Sequence, residues 1–69
     1  MSKNLSVIAK NIKRYRTKLD ISQDKLSKIA EVTFHTIAKI ESGATSNPGV
    51  ETMKRIADAL GVTIDDLLK

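Results

Sequence analysis

The sequence predicts an all-α fold: five short helices in one compact domain spanning residues 1–69. Three observations carry this. Apolar residues recur at three- and four-residue steps through most of the chain, the period of a helix with one buried face. Ser22, Thr33 and Thr63 each stand just before a periodic segment, where a short hydroxyl caps free helix-start amides. Gly43 and Gly61 each stand just after one, where a left-handed residue ends a helix.

The first helix is predicted from Leu5 to Leu19, with Leu5, Ile8, Ile12, Tyr15 and Leu19 on its buried stripe and Lys10, Lys13, Arg14 and Lys18 off it. Asp20, a residue that tolerates the left-handed conformation, follows as a stop. Ser22 caps the second helix, with Gln23 and Asp24 in its first turn and Leu26 and Ala30 toward the core. Ser27 is expected to be buried beside them, its hydroxyl bonded back to a helical carbonyl, while Ile29 points away. The third helix follows Thr33 and carries Ile37 and Ile40 on one face. Residues 44–49 read as a loop. Val50, Met53, Ile56, Ala57 and Leu60 mark a fourth helix, and Thr63 caps a last one with Asp65 and Asp66 at its positive end. Leu67 is expected in the core.

Composition narrows the function classes. A chain of 69 residues forms one domain at most and commits most of its apolar side chains to a single core. It has no cysteine, so disulfides and thiolate metal sites are excluded. A lone histidine without a second ligand makes a poor metal site. No Gly-rich phosphate loop or paired buried acids are visible, so no enzyme, cofactor, metal or small-molecule ligand is expected. No apolar run is long enough for a membrane span or a signal segment, and a cytoplasmic location is the default expectation. The net charge of +4 is unevenly placed: residues 1–40 hold nine Lys/Arg against three acids, and residues 41–69 hold three against five. A basic front half suits a polyanion, although Lys-rich helices are also common as plain solvated faces.

The stretch from Ser22 to Gly43 organises the rest. Two short helices meet there at a tight turn, and the outer face of the second is free. That is the geometry of a helix-turn-helix, whose second helix enters a DNA major groove.

An ordered set of residues then carries a family likeness: Ile12…Arg16, Ser22-Gln23…Leu26, Thr33…Ile37…Ile40-Glu41-Ser42-Gly43, Asn47-Pro48…Val50-Glu51-Thr52…Ile56-Ala57, Ala59-Leu60-Gly61-Val62 and Asp65…Leu67. With these the chain resembles the phage-repressor/Cro-type, or Xre-type, helix-turn-helix domains over roughly Ile8 to Leu68. No single piece is specific, whereas the set in this order is. The resemblance implies a lambda-repressor-like DNA-binding fold with its reading unit at about residues 22–43.

It also implies roles. Gln23 is expected to hold a DNA phosphate and brace the reading helix, with Ser22 adding a hydroxyl or amide contact beside it. Base reading is expected from the outward residues of the third helix: Phe34, His35, Ala38 and Lys39, with Thr36 able to touch a base methyl or a phosphate. His35 is as readily a solvated surface residue, and Thr36 a half-buried one. For Phe34 two readings stand: contact with a thymine methyl, or folding back beside Ile37 and Ile29. Further phosphate contacts are expected from Thr33, Ser42, Thr45, Ser46 and Asn47, against a plain polar loop. Arg16 is expected to pair with Glu41, an ion pair that fixes geometry more than it adds stability. A homodimer surface is expected at Val62, Ile64 and Leu68, some of which could instead complete the core.

The chain departs from the family pattern in four places. Phe34 stands where the family usually has a polar side chain. Glu31 stands where the turn usually has Gly and goes left-handed, at a cost of roughly 1–2 kcal/mol for a residue with a side chain. Ser27 replaces a usual Ala. The loop from Gly43 to Pro48 is one residue longer than the commonest spacing.

The expected function is a sequence-specific double-stranded DNA-binding transcriptional regulator, a repressor bound as a homodimer to a pseudo-palindromic operator. The alternatives are a protein-interaction module, motivated by Phe34, Ile29 and Glu31, and the antitoxin half of a toxin–antitoxin pair.

Overall fold

Ile8, Ile12 and Tyr15 sit on one side of helix α1 (Lys3–Lys18), and Ile12 is fully buried. The computed structural model describes residues 3–45 and 48–69, with side chains from Val7 onward. The expected contacts of Ser46 and Asn47, and the core position of Leu5, therefore lie outside the described residues. The other elements are α2 (Gln23–Ala30), α3 (Phe34–Ser42), α4 (Val50–Leu60) and α5 (Ile64–Leu68), each within a few residues of its place in the sequence pattern. α1 packs on α3 and α5, α2 packs on α3 and α4, and α4 closes against α5.

All five helices contribute to one core: Ile12, Leu26, Ala30, Ile37, Ile40, Met53, Ile56, Ala57, Leu60 and Leu67. The radius of gyration is 10.5 Å, close to the roughly 11 Å expected of a folded chain of this length. Ile37 and Ile40 are the anchors of α3 and are essentially inaccessible. Truncating either to Ala removes buried volume worth about 2–5 kcal/mol.

Two apolar positions differ from expectation. Leu19 was placed on the buried stripe but is half exposed, because α1 ends at Lys18 and the left-handed Asp20 (φ 58°) turns the chain off the helical path. Val50, which opens the apolar period of the fourth helix, is 78% exposed. It is the first residue of α4, one turn ahead of Met53, and no neighbouring helix covers it. Ile29 points outward as expected, and Ser27 is buried with its hydroxyl donating to the Asp24 carbonyl at 2.7 Å.

The caps follow the sequence. Ser22 Oγ accepts from the Lys25 amide, Thr33 Oγ1 from the Thr36 amide, and Thr63 Oγ1 from the Asp66 amide. Gly43 and Gly61 adopt positive φ, 85° and 73°, at the ends of α3 and α4. At α5, Asp66 Oδ2 returns a bond to the Thr63 amide, completing a capping box. α5 has five residues and few internal bonds of its own. Its far end is held instead by Asn11, which is buried on α1 and donates to the Leu67 carbonyl at 2.9 Å.

Candidate nucleic-acid interface

The turn between α2 and α3 is three residues long, Glu31 to Thr33. Glu31 takes the left-handed conformation, φ 60° and ψ 41°, the one a glycine would adopt without cost. Its amide bonds to Lys28 O at 3.3 Å, and the Val32 amide to Ser27 O at 3.0 Å, so the end of α2 is closed by the usual backbone pair. The chain thus builds the expected turn despite the missing glycine. Arg55 on α4 reaches back to this turn. Its Nη1 donates to the Glu31 carbonyl at 3.4 Å and lies 3.7 Å from the Glu31 carboxylate, while Nη2 pairs with Glu51 at 3.2 Å. These groups are largely exposed, so the pairs are worth little on their own. The strain at Glu31 is carried mainly by the burial of Leu26, Ala30 and Ile37 on either side.

α3 is fixed from within and free on its other side. Ile37 and Ile40 face the core, and Glu41 turns inward to meet Arg16. Arg16 Nε donates to Glu41 Oε2 at 2.7 Å and Nη2 to Oε1 at 3.0 Å, a two-bond fork. Nη1 donates to the Ile21 carbonyl at 2.9 Å, which ties the same guanidinium to the α1–α2 turn. The Glu41 side chain is 4% exposed and that of Arg16 15%. The hydrogen bond to Glu41 raises the Arg16 pKa above its ordinary value, burial opposes this, and the carboxylate charge adds to the rise. Arg16 therefore stays charged throughout the useful pH range.

Phe34, His35, Lys39 and Ser42 are exposed along the outer side of α3, and Thr36 and Ala38 flank them half-buried. His35 and Lys39 are four residues apart, hence neighbours on one face. Phe34 is 50% exposed and is not among the side chains packed on the core. The Thr36 hydroxyl lies 2.8 Å from that of Thr33, so the two share a proton at the α3 start. Ser42 Oγ donates to the Lys39 carbonyl at 3.0 Å and accepts from the Ala44 amide at 3.3 Å. Its single proton is committed, and a phosphate contact there requires that bond to exchange. Ser22, by contrast, only accepts from the Lys25 amide, which leaves its proton free. Gln23 donates from Nε2 to Glu41 Oε1 at 3.0 Å. Thr45 is half-buried, its amide bonded to Lys39 O at 3.2 Å.

The charges separate sharply. Seven of the eight acids pair with nearby cations: Asp24 with Lys28, Asp58 with Lys54, Glu51 and Glu31 with Arg55, Asp65 and Asp66 with Lys69, and Glu41 with Arg16, while Asp20 is in none of these pairs. Among the described residues, Lys10, Lys13, Arg14, Lys18, Lys25 and Lys39 take part in none of these pairs. All six lie on α1 to α3. Arg14 instead stacks over the Tyr15 ring at 5.2 Å. The unpaired positive charge thus lies on the first three helices, four of the six groups on α1 and one each on α2 and α3.

The residues expected at a dimer surface are split by the structure. Ile64 and Leu68 line an open apolar groove of about 170 Å³ with Ile8, Pro48, Val50 and Met53. Val62 lines a second, more polar depression with Lys54, Asp58 and Thr63, and Ile64 borders both. Val62 and Ile64 both pack partly on the core, whereas Leu68 is 54% exposed.

Sequence reasoning passed over Lys25, Arg55, Asn11 and the Asp66 half of the capping box. Thr63-x-x-Asp66 and the i, i+4 spacing of Glu51 and Arg55 were readable signals for two of them. Nothing local to Asn11 announces that its partner lies at the other end of the chain. Among the described residues no three His, Asp or Glu side chains gather as a metal site, and no helix is long and apolar enough to cross a membrane.

The helix-turn-helix family model matches residues 12–67, from the middle of α1 to the last core residue of α5. No curated protein and no solved structure shows significant similarity to the chain.

Proposed function

The chain belongs to the helix-turn-helix family of DNA-binding regulators, of the lambda-repressor/Xre type, and from that premise we propose that it is a transcriptional repressor acting as a homodimer on a pseudo-palindromic operator. The observation that carries this is the state of α3: it is pinned inward through Ile37, Ile40 and Glu41, and its outer side presents His35 and Lys39 without internal partners. α3 enters the major groove. Lys39 donates to guanine O6 and N7 or to a phosphate, His35 to a base edge, and Phe34 presses on a thymine methyl with Thr36 beside it. Ser22, Gln23 and Thr33 hold phosphates at the two helix starts, joined by Thr45, Ser46 and Asn47 from the loop and, at the expense of an internal bond, Ser42.

One such domain reads few base pairs, so two copies bind half-sites about one helical turn apart. The apolar groove of Ile64 and Leu68, flanked by the exposed Val50, serves as the contact between copies, and Val62 is peripheral to it. Repression follows from occupying the operator. Sedimentation of the chain with and without a selected duplex tests the assembly: two chains per duplex are expected, and Leu68→Lys should abolish the dimer while leaving helical content intact. A single chain per duplex, or a dimer unaffected by Leu68→Lys, rejects this arrangement.

The exposure of Phe34 and Ile29, about half in each case, favours a second function, a protein-interaction module or antitoxin that docks a partner on the same face. Affinity for duplex DNA that stays flat as salt rises and shows no sequence preference would favour it over DNA reading.

A further inference from the structure

Gln23 is held in place before any ligand arrives. Its Nε2 donates to Glu41 Oε1 at 3.0 Å, and the same oxygen accepts from Arg16 Nη2 at 3.0 Å. An ionised carboxylate can only accept, so it selects the NH₂ edge of the amide. The flipped amide would set two oxygens against each other. One Nε2 proton is thereby committed to Glu41. The second Nε2 proton and both lone pairs of Oε1 remain available, at the first residue of α2 and beside the Ser22 hydroxyl.

A carboxylate beside a DNA backbone would ordinarily repel it. Here the Arg16 fork neutralises Glu41, and a third Arg16 N–H goes to the Ile21 carbonyl. The Glu41 side chain is only 4% exposed, which also fixes its geometry. We propose that Glu41 is a positioning residue for DNA binding: it orients the Gln23 amide so that its second Nε2 proton is delivered to a phosphate oxygen. The ion pair has a second use beyond joining α1 to α3. Arg16 supplies the neutralising charge, Glu41 sets the amide, and Gln23 meets the phosphate with its rotamer already chosen, so less side-chain freedom is lost on binding.

This inference rests on the proposed phosphate contact of Gln23, and two measurements keep the two apart. In the free protein, the two Gln23 side-chain amide protons should differ widely in chemical shift, with one protected from exchange. Both features should vanish in Arg16→Met/Glu41→Met, a swap that removes the whole buried pair and so leaves no orphaned charge. In duplex binding, Gln23→Ala should weaken the natural protein by roughly tenfold, as expected for a hydrogen bond to a charged group. In the Arg16→Met/Glu41→Met background, shown to be folded by its helical signal, the same substitution should change affinity less than about twofold.

An equal loss from Gln23→Ala in both backgrounds overturns the positioning role, and so does a pair of amide protons in the natural protein with the ordinary separation of a free side-chain amide and no protection from exchange. Should the double swap fail to fold, the Gln23 amide signals of the natural protein decide alone: one proton shifted and protected supports the positioning role, and an ordinary, freely exchanging pair overturns it. If Gln23→Ala leaves duplex affinity unchanged in the natural protein while the amide signals are as expected, the phosphate contact itself is wrong, and the positioning role falls with it.

Discussion

Asn11 Nδ2 donates to the Leu67 carbonyl oxygen at 2.9 Å, tying the first helix to the last across 56 residues of sequence. The Asp66 carbonyl lies at 3.5 Å from the same nitrogen, at the limit of a useful bond. The bond satisfies carbonyls that so short a helix cannot satisfy itself. Among the described residues no buried polar side-chain atom lacks a partner, and Asn11 is a main reason. Asn11→Ala should lower the free energy of unfolding by about 1–3 kcal/mol, since a buried carbonyl loses its donor. Urea denaturation measures this, and an unchanged midpoint would mean that α5 is held by Leu67 packing alone.

Glu31 offers a substitution that should stabilise. Its left-handed backbone costs roughly 1–2 kcal/mol with a side chain present, and the Arg55 contacts it would lose are exposed. Glu31→Gly should therefore raise stability by about 1 kcal/mol after the unfolded-state entropy of glycine is set against it. For a domain of this size that is a rise of about 4–8 °C in Tm. A lower Tm would show that the bridge from Arg55 to the turn outweighs the strain.

The capping box predicts an acid-side instability. The hydrogen bonds from Thr63 hold the Asp66 carboxyl below its ordinary value of 3.8, with a smaller opposing effect of burial and a small favourable one from Lys69. The folded-state pKa is the lower one, so the unfolded chain binds the proton first. The contribution is complete above the unfolded value and is lost as pH falls through the folded one. Stability measured from pH 5 downward should fall less steeply in Asp66→Asn than in the natural protein; parallel curves would remove Asp66 from the acid response.

Much of the fold was legible because its signals are local. Ser22, Thr33 and Thr63 announce helix starts, and Gly43 and Gly61 announce ends, through bonds made within a few residues. The core followed from period, and it failed at Leu19 and Val50, both at helix ends, where burial depends on what lies opposite rather than on phase. The candidate site divides the same way. The outward positions of Phe34, His35 and Lys39 follow from the placement of Ile37 and Ile40. The Gln23–Glu41 bond, the Arg55 brace and the Asn11 tie join residues 18 to 56 apart and have no local signature.

Lys39 carries the strongest expectation on the outer face of α3, because it is exposed, unpaired and able to reach a guanine edge. Lys39→Ala should weaken binding to the preferred duplex by about 1–3 kcal/mol and relax the preference at one position in each half-site. If the loss is the same on unrelated duplexes, Lys39 contacts a phosphate. Full affinity for the preferred duplex would remove it from the interface.

The central claim is that α3 reads DNA sequence, and selection of duplexes from a randomised pool by the intact protein tests it most directly. Two short half-sites related by a two-fold, with centres about one helical turn apart, are the expected product. Their affinity should drop steeply as salt is raised. A pool that emerges with no enriched sequence, or binding that does not respond to salt, would contradict it.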